Sequence, residues 1–273
     1  MILVVIVTFY PDKDLLKTNV ASFIEKVDKV LIWENTPDSD KDQFRFIQHD
    51  KIDYCGDGVN SISRALNYAW RYCKQQGYDF LLTMDQDSKW VCFDNFLTNT
   101  VYNSDAPYGI WCPQINENKN QNLFDLRDSS ITSGMLIPIP ILDKIGGWDE
   151  FFIIDSVDTE FCSHARSIGV NIYSVANCQL VQRYGTPQIA YFWRYSFELR
   201  NDSPQRLYYI YRNYVIVMRR YPSVTSLRIG FKRVWVKKIK WILFFERQGL
   251  KKFISILHGI IDGYVKYDKI QAE

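Results

Sequence analysis

The chain has 273 residues, 47% of them hydrophobic and 23% charged, which is typical of a soluble globular protein with a large buried core. Its net charge of +2 indicates little by itself. The six cysteines stand too far apart for a Cys-x-x-Cys site, and no run reaches the roughly 20 apolar residues that cross a bilayer. With no signal peptide, we expect reduced thiols in a cytoplasmic protein.

The first third of the chain alternates strands with helices. The β-branched run ILVVIVT predicts a buried parallel strand over residues 2–8. Further strands are predicted over 29–33, 45–48 and 80–84, with helices over 14–26 and 61–76. This order predicts an α/β fold with a mostly parallel sheet, flanked by helices and connected by right-handed crossovers.

The rest of the chain has a looser pattern. Strands are predicted over 108–112, 131–138 and 170–174, and helices over 141–145 and 158–168. The polar stretch 116–128 predicts a loop. An aromatic-rich helix is predicted over 204–221, and the remainder is predicted to be helical and basic.

Polar and aromatic residues follow three of the predicted strands. They are the stretches TFYP at 8–11, ENT at 34–36 and DQDS at 85–88. In an open parallel sheet, ligands bind beyond the carboxyl ends of the strands, so we expect a site there. The chain has neither a Gly-x-Gly-x-x-Gly loop nor a Gly-Lys-Ser/Thr loop, which argues against a dinucleotide-binding dehydrogenase and a P-loop NTPase.

Asp85 and Asp87 suggest a metal site. In an extended segment, residues two apart point the same way, so the two carboxylates would raise each other's pKa unless a cation neutralised them. Mg²⁺ or Mn²⁺ suits such oxygen ligands, with water and phosphate in the remaining positions. The alternative is an ordinary polar loop, since Asp-x-Asp also occurs by chance.

An ordered series of motifs carries a family likeness. In chain order they are VVIVTFYP, VLIWENT, NSISRALN, LLTMDQDS, TSGMLI, GGWDEFF, DSVDTEFC and YYIYRN. The series, over about residues 2–213, resembles the inverting glycosyltransferases of family 2, and within them the bacterial rhamnosyltransferase-like branch. The resemblance implies a Rossmann-like GT-A domain over 1–203, with a nucleotide-binding half (1–90), an acceptor-binding half (91–203) and a helical, basic extension (204–273).

The resemblance assigns a nucleotide-diphosphate sugar, dTDP- or UDP-linked, to the carboxyl edge of the sheet. Thr8 and Tyr10 match positions that hold the nucleoside, Glu34 stands where an aspartate usually contacts the base, and Arg64 could face the base or the diphosphate. Asp87 is the more direct metal ligand. The full set of nucleotide-sugar positions is Thr8, Tyr10, Glu34, Asn35, Arg64, Asp85 and Asp87.

The second half of the resemblance concerns the acceptor and the base. Glycosyl transfer needs a carboxylate that takes the proton of the attacking hydroxyl, and Asp158 aligns with that base. Trp148 is expected to offer a face for sugar stacking. The alternative for Asp158 and Glu160 is an acidic first turn of a helix. The acceptor positions are Gly147, Trp148, Asp149, Glu160 and Arg212.

Two positions depart from the family pattern. Ser61 replaces a usual glycine, and Gln182 stands where a histidine often follows the last sheet strand. If that histidine helps to bind metal or diphosphate, the site here is completed differently, with Arg183 a neighbouring candidate for phosphate.

Residues 226–252 hold nine Lys and Arg against the single acid Glu246. On a helical period this segment predicts a basic amphipathic helix that contacts a membrane surface, or one packed on the main domain. Its predicted apolar stripe is Phe231, Val234, Trp235, Ile239, Trp241, Ile242 and Phe245, and the basic residues largely opposite are Lys232, Arg233, Lys237, Lys240 and Arg247.

The sequence therefore predicts a metal-dependent, inverting glycosyltransferase, peripheral at the inner face of the plasma membrane. It would transfer a sugar, with rhamnose one candidate, to a lipid-linked glycan acceptor in O-antigen or capsule synthesis, and would not bind nucleic acid. Two alternatives stay open: a nucleotidyltransferase that makes the activated sugar, and a non-catalytic, membrane-associated binding protein.

Overall fold

The computed structural model describes residues 1–37, 44–116, 122–182, 188–192, 195–199, 201–224, 239 and 242–270. The chain forms two compact units, Met1–Arg183 and Tyr184–Glu273.

The first unit is built on a nine-stranded mixed sheet with the strand order β3-β2-β1-β4-β8-β6-β9-β5, in which β7 also pairs with β9. Its strands are β1 (Ile2–Thr8), β2 (Lys29–Glu34), β3 (Ile52–Cys55), β4 (Phe80–Asp85), β5 (Ser88–Trp90), β6 (Ile110–Ile115), β7 (Phe124–Leu126), β8 (Leu136–Pro138) and β9 (Ile172–Gln182). Its helices are α1 (Lys13–Ala21), α2 (Ile62–Gln76), α3 (Phe93–Asn99), α4 (Ile139–Ile145) and α5 (Val157–Ser167).

The amino-terminal half of the sheet is parallel, because β1 pairs in parallel with both β2 and β4, and β2 pairs in parallel with β3. The apolar residues of β1 are buried, as expected for a central strand covered on both faces. Beyond β4, strand β8 runs antiparallel and joins this half to β6 and β9. The predicted α/β fold with its C-terminal helical extension is confirmed.

Several predicted elements differ from the structure; the strand predicted over 131–138, for example, is only Leu136–Pro138. Residues 45–48 form no strand, because the Tyr54 hydroxyl takes up the backbone N–H and C=O of Ile47 (3.0 and 3.1 Å), and the third strand is Ile52–Cys55 instead. The first helix ends at Ala21, where the Ser22 hydroxyl donates to the Asn19 carbonyl (2.6 Å), and a short 3₁₀ turn follows at Ile24–Lys26. The stretch predicted as a loop contains β7.

The second unit contains an antiparallel hairpin and two packed helices. The hairpin strands are β10 (Gln188–Phe192) and β11 (Tyr195–Leu199), and the helices are α6 (Pro204–Arg220) and α7 (Gly249–Ile270). A Cβ atom at Gly259 would lie 2.4 Å from the Tyr208 carbonyl, and one at Gly263 would lie 2.8 Å from the Arg212 carbonyl. These two glycines therefore let α7 approach the backbone of α6 closely.

Part of the predicted basic amphipathic helix lies outside the described residues, namely 225–238, 240 and 241, and so does Arg183. Within the described part, Ile242 is buried together with Leu207, Tyr211 and Ile256, and Ile239 packs against the same cluster. These two isoleucines of the predicted apolar stripe thus pack within the second unit, and contact of the segment with a membrane stays a prediction. No helix among the described residues is long and apolar enough to cross a bilayer.

Candidate active site

The carboxyl edge of the parallel strands brings the predicted donor residues together. Thr8 at the end of β1 lies opposite Glu34 at the end of β2, and Val7 lies opposite Asp85 at the end of β4. Three polar strand ends thus meet at one edge of the sheet, where ligands of such folds bind.

Asp85 is held by three hydrogen bonds. Its backbone N–H donates to the Ser133 hydroxyl (3.0 Å), its carbonyl accepts from the Asn19 amide (2.7 Å), and its carboxylate accepts from Nε2 of Gln182 (2.8 Å). Burial, with the charges of Asp87 and Asp158, raises the pKa of Asp85 to about 7, and the Gln182 amide opposes that rise.

Gln182 contacts Asp85 because two neighbours hold its strand end. It lies opposite Ser88 in the β5–β9 pair, and it exchanges amide hydrogen bonds with Asn116, whose Oδ1 accepts from the Gln182 N–H (3.0 Å). Its side-chain Oε1 is buried and has no hydrogen-bond partner in the described part of the chain. The position where a family histidine is expected is therefore occupied by an amide that binds Asp85.

The middle residue of the motif connects the strand end to the β1 loop. Oε1 of Gln86 accepts from the Phe9 N–H (2.7 Å), and Nε2 of Gln86 donates to the Phe9 carbonyl (3.3 Å). This reciprocal pair joins two of the three strand ends. Asp87 is half-buried, and burial raises its pKa.

Asp158 lies in the first turn of α5, just after a strained backbone segment. Asp155 and Ser156 both have positive φ angles (56° and 65°), a conformation that non-glycine residues rarely adopt. Such strain persists only where the surrounding structure enforces it, and it is frequent at functional sites. Here the backbone conformation of Asp155 and Ser156 sets the direction in which α5 begins, and with it the position of Asp158.

The Asp158 carboxylate is oriented by Thr159, whose N–H donates to Oδ1 (2.7 Å) and whose hydroxyl lies 3.3 Å from the same atom. Burial nevertheless raises the pKa of Asp158. Since the charge of Asp158 also raises the pKa of Asp85, the two carboxylates lie within electrostatic range of each other. The roles of Asp158 as base and of Asp85 and Asp87 as metal ligands stay predictions.

The predicted nucleoside positions are mostly engaged within the fold. The Thr8 hydroxyl is buried and donates to the Trp33 carbonyl (3.2 Å), and Oδ1 of the buried Asn35 accepts from the Trp33 indole (3.0 Å). Tyr10 is 47% exposed and its neighbour Phe9 is 45% exposed, so both rings are accessible at this edge. Contact of Thr8 and Asn35 with a nucleotide stays a prediction.

Glu34 is 1% exposed and forms an ion pair with Arg45, which donates to Oε2 from Nε (3.1 Å) and Nη2 (2.9 Å). The other carboxylate oxygen, Oε1, is buried without a hydrogen-bond partner among the described residues. Arg64 pairs through its side chain with Asp57 on the preceding loop. The sequence pattern gave no signal for either ion pair.

The acceptor loop is clamped by Asn67, a residue that the sequence interpretation missed. Its Oδ1 accepts from the Trp148 N–H (2.8 Å), and its Nδ2 donates to the Trp148 carbonyl (2.8 Å) and to Glu150 (3.0 Å). An asparagine in a helix interior is unfavourable unless it is hydrogen-bonded, and this was the available signal.

One expectation for the acceptor loop is wrong, namely that the Trp148 ring offers a face for sugar stacking. Trp148 is 4% exposed and its ring stacks on Phe161 (4.5 Å between centroids), so it has no free face for a sugar. Gly147 has a φ of 83°, and a Cβ there would lie 2.6 Å from both Asn67 and Trp70. The close approach that Gly147 permits is to α2.

The remaining predicted acceptor residues are dispersed. Asp149 accepts from the Phe151 N–H (2.9 Å) within its own loop, and Glu160 is buried in α5. Arg212 lies in the second unit, where it is buried, donates twice to Asn213 (2.9 and 2.6 Å) and lies over the Tyr209 ring. Their role in acceptor binding stays a prediction.

The residues at the edge fit a hard divalent cation. No group of three or more His, Cys, Asp or Glu among the described residues is arranged to hold a metal. Mg²⁺, however, is usually held by one or two carboxylates together with substrate phosphates and water. Asp85 and Asp87 supply those carboxylates, and the unpaired Oε1 of Gln182 adds an oxygen donor of the same type.

Comparisons with known proteins agree with this architecture. No family model matches the chain. It is 25% identical over 249 residues to the dTDP-rhamnosyl transferase RfbF of Shigella flexneri. The matched region covers 82% of this chain and 82% of that relative.

Two solved structures share the fold. TarS residues 1–349 of S. aureus, in complex with UDP-GlcNAc, match with a TM-score of 0.61 and 15% identity over 96% of this chain and 81% of theirs. GalNAc-T7 with UDP, GalNAc and Mn²⁺ matches with a TM-score of 0.58 and 11% identity over 80% of this chain, which spans 47% of GalNAc-T7.

The predicted likeness is thus confirmed by an enzyme similar over most of the chain and by solved structures that share its layered sheet. The chain is a glycosyltransferase of the GT-A fold, similar to the rhamnosyltransferase-type enzymes.

Proposed function

We propose that this glycosyltransferase transfers a sugar from a nucleotide-diphosphate donor to an acceptor hydroxyl by a single displacement that inverts the anomeric centre. The observation that carries the proposal is the electrostatic coupling of Asp158 to Asp85 at the carboxyl edge of the sheet. Two carboxylates with raised pKa values in one cleft suit different roles, one taking a proton and one binding a cation.

Asp158 is the proposed general base. Burial raises its pKa above the usual value, which makes the carboxylate a stronger base for the proton of the attacking acceptor hydroxyl. The hydrogen bonds from Thr159 occupy Oδ1, which leaves Oδ2 to face the acceptor. The first unit from residue 91 onward would then form most of the acceptor side, and residues 1–90 the donor side.

Asp87 and Asp85 would hold Mg²⁺ or Mn²⁺, with Gln182 setting the orientation of Asp85. The ion would supply positive charge to the diphosphate as it leaves. Residues at the carboxyl edge of the sheet would position the donor. The hydrogen-bonded pair of Gln86 and Phe9 joins the ends of β1 and β4, and the exposed Tyr10 ring would offer a surface for the nucleotide base.

The name of the relative suggests which donor to test first. RfbF is named as a dTDP-rhamnosyl transferase, so dTDP-rhamnose is the first donor to test, ahead of UDP-galactofuranose and UDP-hexoses. We propose a lipid-linked glycan of bacterial O-antigen or capsule as acceptor, met by an enzyme peripheral at the cytoplasmic face of the membrane.

The departures from the family pattern support catalysis over a non-catalytic role. The Ser61 side chain caps α2 by accepting from the Arg64 N–H (3.4 Å), and Gln182 binds Asp85. Each substituted residue therefore makes a hydrogen bond within the fold, so neither departure argues for a degenerate site. The alternative of a nucleotidyltransferase lacks its glycine-rich loop, since the first strand is followed by TFYPDK.

A donor screen tests the proposal. The full chain is heated with Mn²⁺ and each nucleotide sugar, and a donor at 100 times its dissociation constant stabilises the fold by about 2.7 kcal/mol. Asp87→Asn is the control, because it should lose the Mn²⁺-dependent part of the shift. If no nucleotide sugar stabilises the wild-type protein or releases nucleoside diphosphate, the proposed function is wrong.

A further inference from the structure

The exposed large hydrophobic residues of the second unit are concentrated on α7 and just before it. Phe244 is 77% exposed and Leu250 is 69% exposed. On α7 they recur every three or four residues, which places them on one side of the helix. This outer stripe consists of Leu250, Ile254, Leu257, Ile261, Tyr264 and Val265.

The outer stripe is not the face that packs on α6. Ile256 and Ile260 belong to the core shared with α6, and Gly259 and Gly263 lie against the α6 backbone. Helix α7 is therefore apolar on two faces, of which one is buried and the other is exposed. A surface helix ordinarily needs only the first, so the second indicates a contact with something apolar.

The side of α7 next to the outer stripe borders a cavity and carries a lysine and a histidine, while Asp262 on the same side is paired with Lys266. Lys251 and His258 are exposed there, about two turns apart on the same side of the helix. The cavity has a volume of about 510 Å³ and reaches the amino end of α6, where the helix dipole is positive. It is lined by Ser203, Pro204, Gln205, Tyr208, Tyr209, Gln248, Lys251, Ser255 and His258.

We propose that the outer stripe of α7 lies in the surface of an anionic phospholipid bilayer, with the adjoining cavity receiving a lipid phosphate. Apolar side chains beside cationic ones match the boundary between acyl chains and headgroups. The basic stretch 226–252, which leads directly into α7, adds to the attraction of anionic lipid. The stripe spans about two heptads, fewer than the three to four of a coiled coil, which favours lipid over a second copy of the chain.

This inference rests on the membrane placement in the proposed function and names the surface responsible. Its test uses the full chain without donor or acceptor, so that it does not depend on transfer. Flotation with vesicles of phosphatidylcholine, alone or mixed with phosphatidylglycerol, measures binding. Donor binding by thermal shift on the same samples reports separately on the glycosyltransferase site.

The decisive variant combines Leu250→Gln, Ile254→Gln and Ile261→Gln. Its matched control changes three exposed side chains of the first unit, Val91→Gln, Tyr102→Gln and Leu126→Gln. We expect wild type and control to float with the anionic vesicles only, and the stripe variant to bind at least about tenfold more weakly. The single change Lys251→Gln should weaken binding about fivefold and keeps the test valid if the triple variant misfolds.

Three results would overturn the proposal. The first is equal vesicle binding by the stripe variant and wild type, and the second is no vesicle binding by wild type. The third is a wild-type dimer in light scattering that becomes a monomer in the stripe variant, because a second copy would then cover the stripe.

Discussion

Asp85→Asn should make the protein more stable while weakening the proposed metal site. The pKa of Asp85 rises from 3.8 to about 7 in the folded state, roughly three units, and each unit corresponds to 1.36 kcal/mol. The upper bound on the cost of the ionised carboxylate is therefore about 4 kcal/mol. Partial exposure of Asp85 and solvent screening reduce this, so we expect a gain of about 1–2 kcal/mol.

The upward direction of the Asp85 pKa shift sets the pH range in which the destabilisation appears. Because the folded-state pKa is above the unfolded value, the destabilising effect of Asp85 is absent below pH 3.8 and grows as pH rises through about 7. The asparagine can still accept from Gln182, so the fold keeps that hydrogen bond. Urea unfolding without divalent ions, at pH 5 and pH 8, should show a larger gain at pH 8.

Asp105→Asn is the control, because this exposed carboxylate lies outside the site. If Asp85→Asn is no more stable than wild type at pH 8, or if its gain is the same at both pH values, the charge at Asp85 is not an uncompensated cost. Adding Mn²⁺ should reverse the order, stabilising wild type above the variant.

Three further changes probe the contacts around the site. Gln182→Leu removes the N–H donor to Asp85, so the acid limb of the pH–rate profile should move to higher pH; an unshifted limb would show that the hydrogen bond does not tune Asp85. Asn67→Ala removes two buried hydrogen bonds and one partly buried bond, and should lower the free energy of unfolding by about 1–3 kcal/mol in urea. A change near zero would mean that other contacts hold the acceptor loop. Gly147→Ala should destabilise the protein by more than Gly146→Ala, since both glycines have positive φ angles but only Gly147 has neighbours within 4 Å of the added methyl group. Equal melting temperatures of the two variants would contradict the crowding at Gly147.

The sheet could be predicted from the sequence because its strands are strongly apolar and end in polar clusters. The strand ends at Thr8, Glu34 and Asp85 were all located, and the parallel register that brings them together follows from the alternation of strands and helices. The third strand was misplaced, because the backbone partner of Ile47 is the Tyr54 hydroxyl, seven residues away in sequence, which no local pattern encodes.

The contacts within the site could be predicted less well. Periodicity indicates which side of an element is apolar but not which polar group meets which, so the pairs Gln182–Asp85 and Glu34–Arg45 required the fold. Trp148 shows the same limit: a tryptophan in a glycine-rich loop suits sugar stacking, yet packing against Phe161 buries it. Gln182, which stands where a histidine is expected, contacts the acidic pair by donating its amide N–H to Asp85.

The most direct test of the account is the rate of sugar transfer by Asp158→Asn. The asparagine keeps the size and the acceptor oxygen of Asp158 but cannot take a proton, so donor binding should be unchanged in the thermal-shift assay. Transfer, followed as nucleoside diphosphate release that depends on acceptor, should fall by about 100-fold to 10,000-fold. Transfer at the wild-type rate would contradict the assignment of Asp158 as the base.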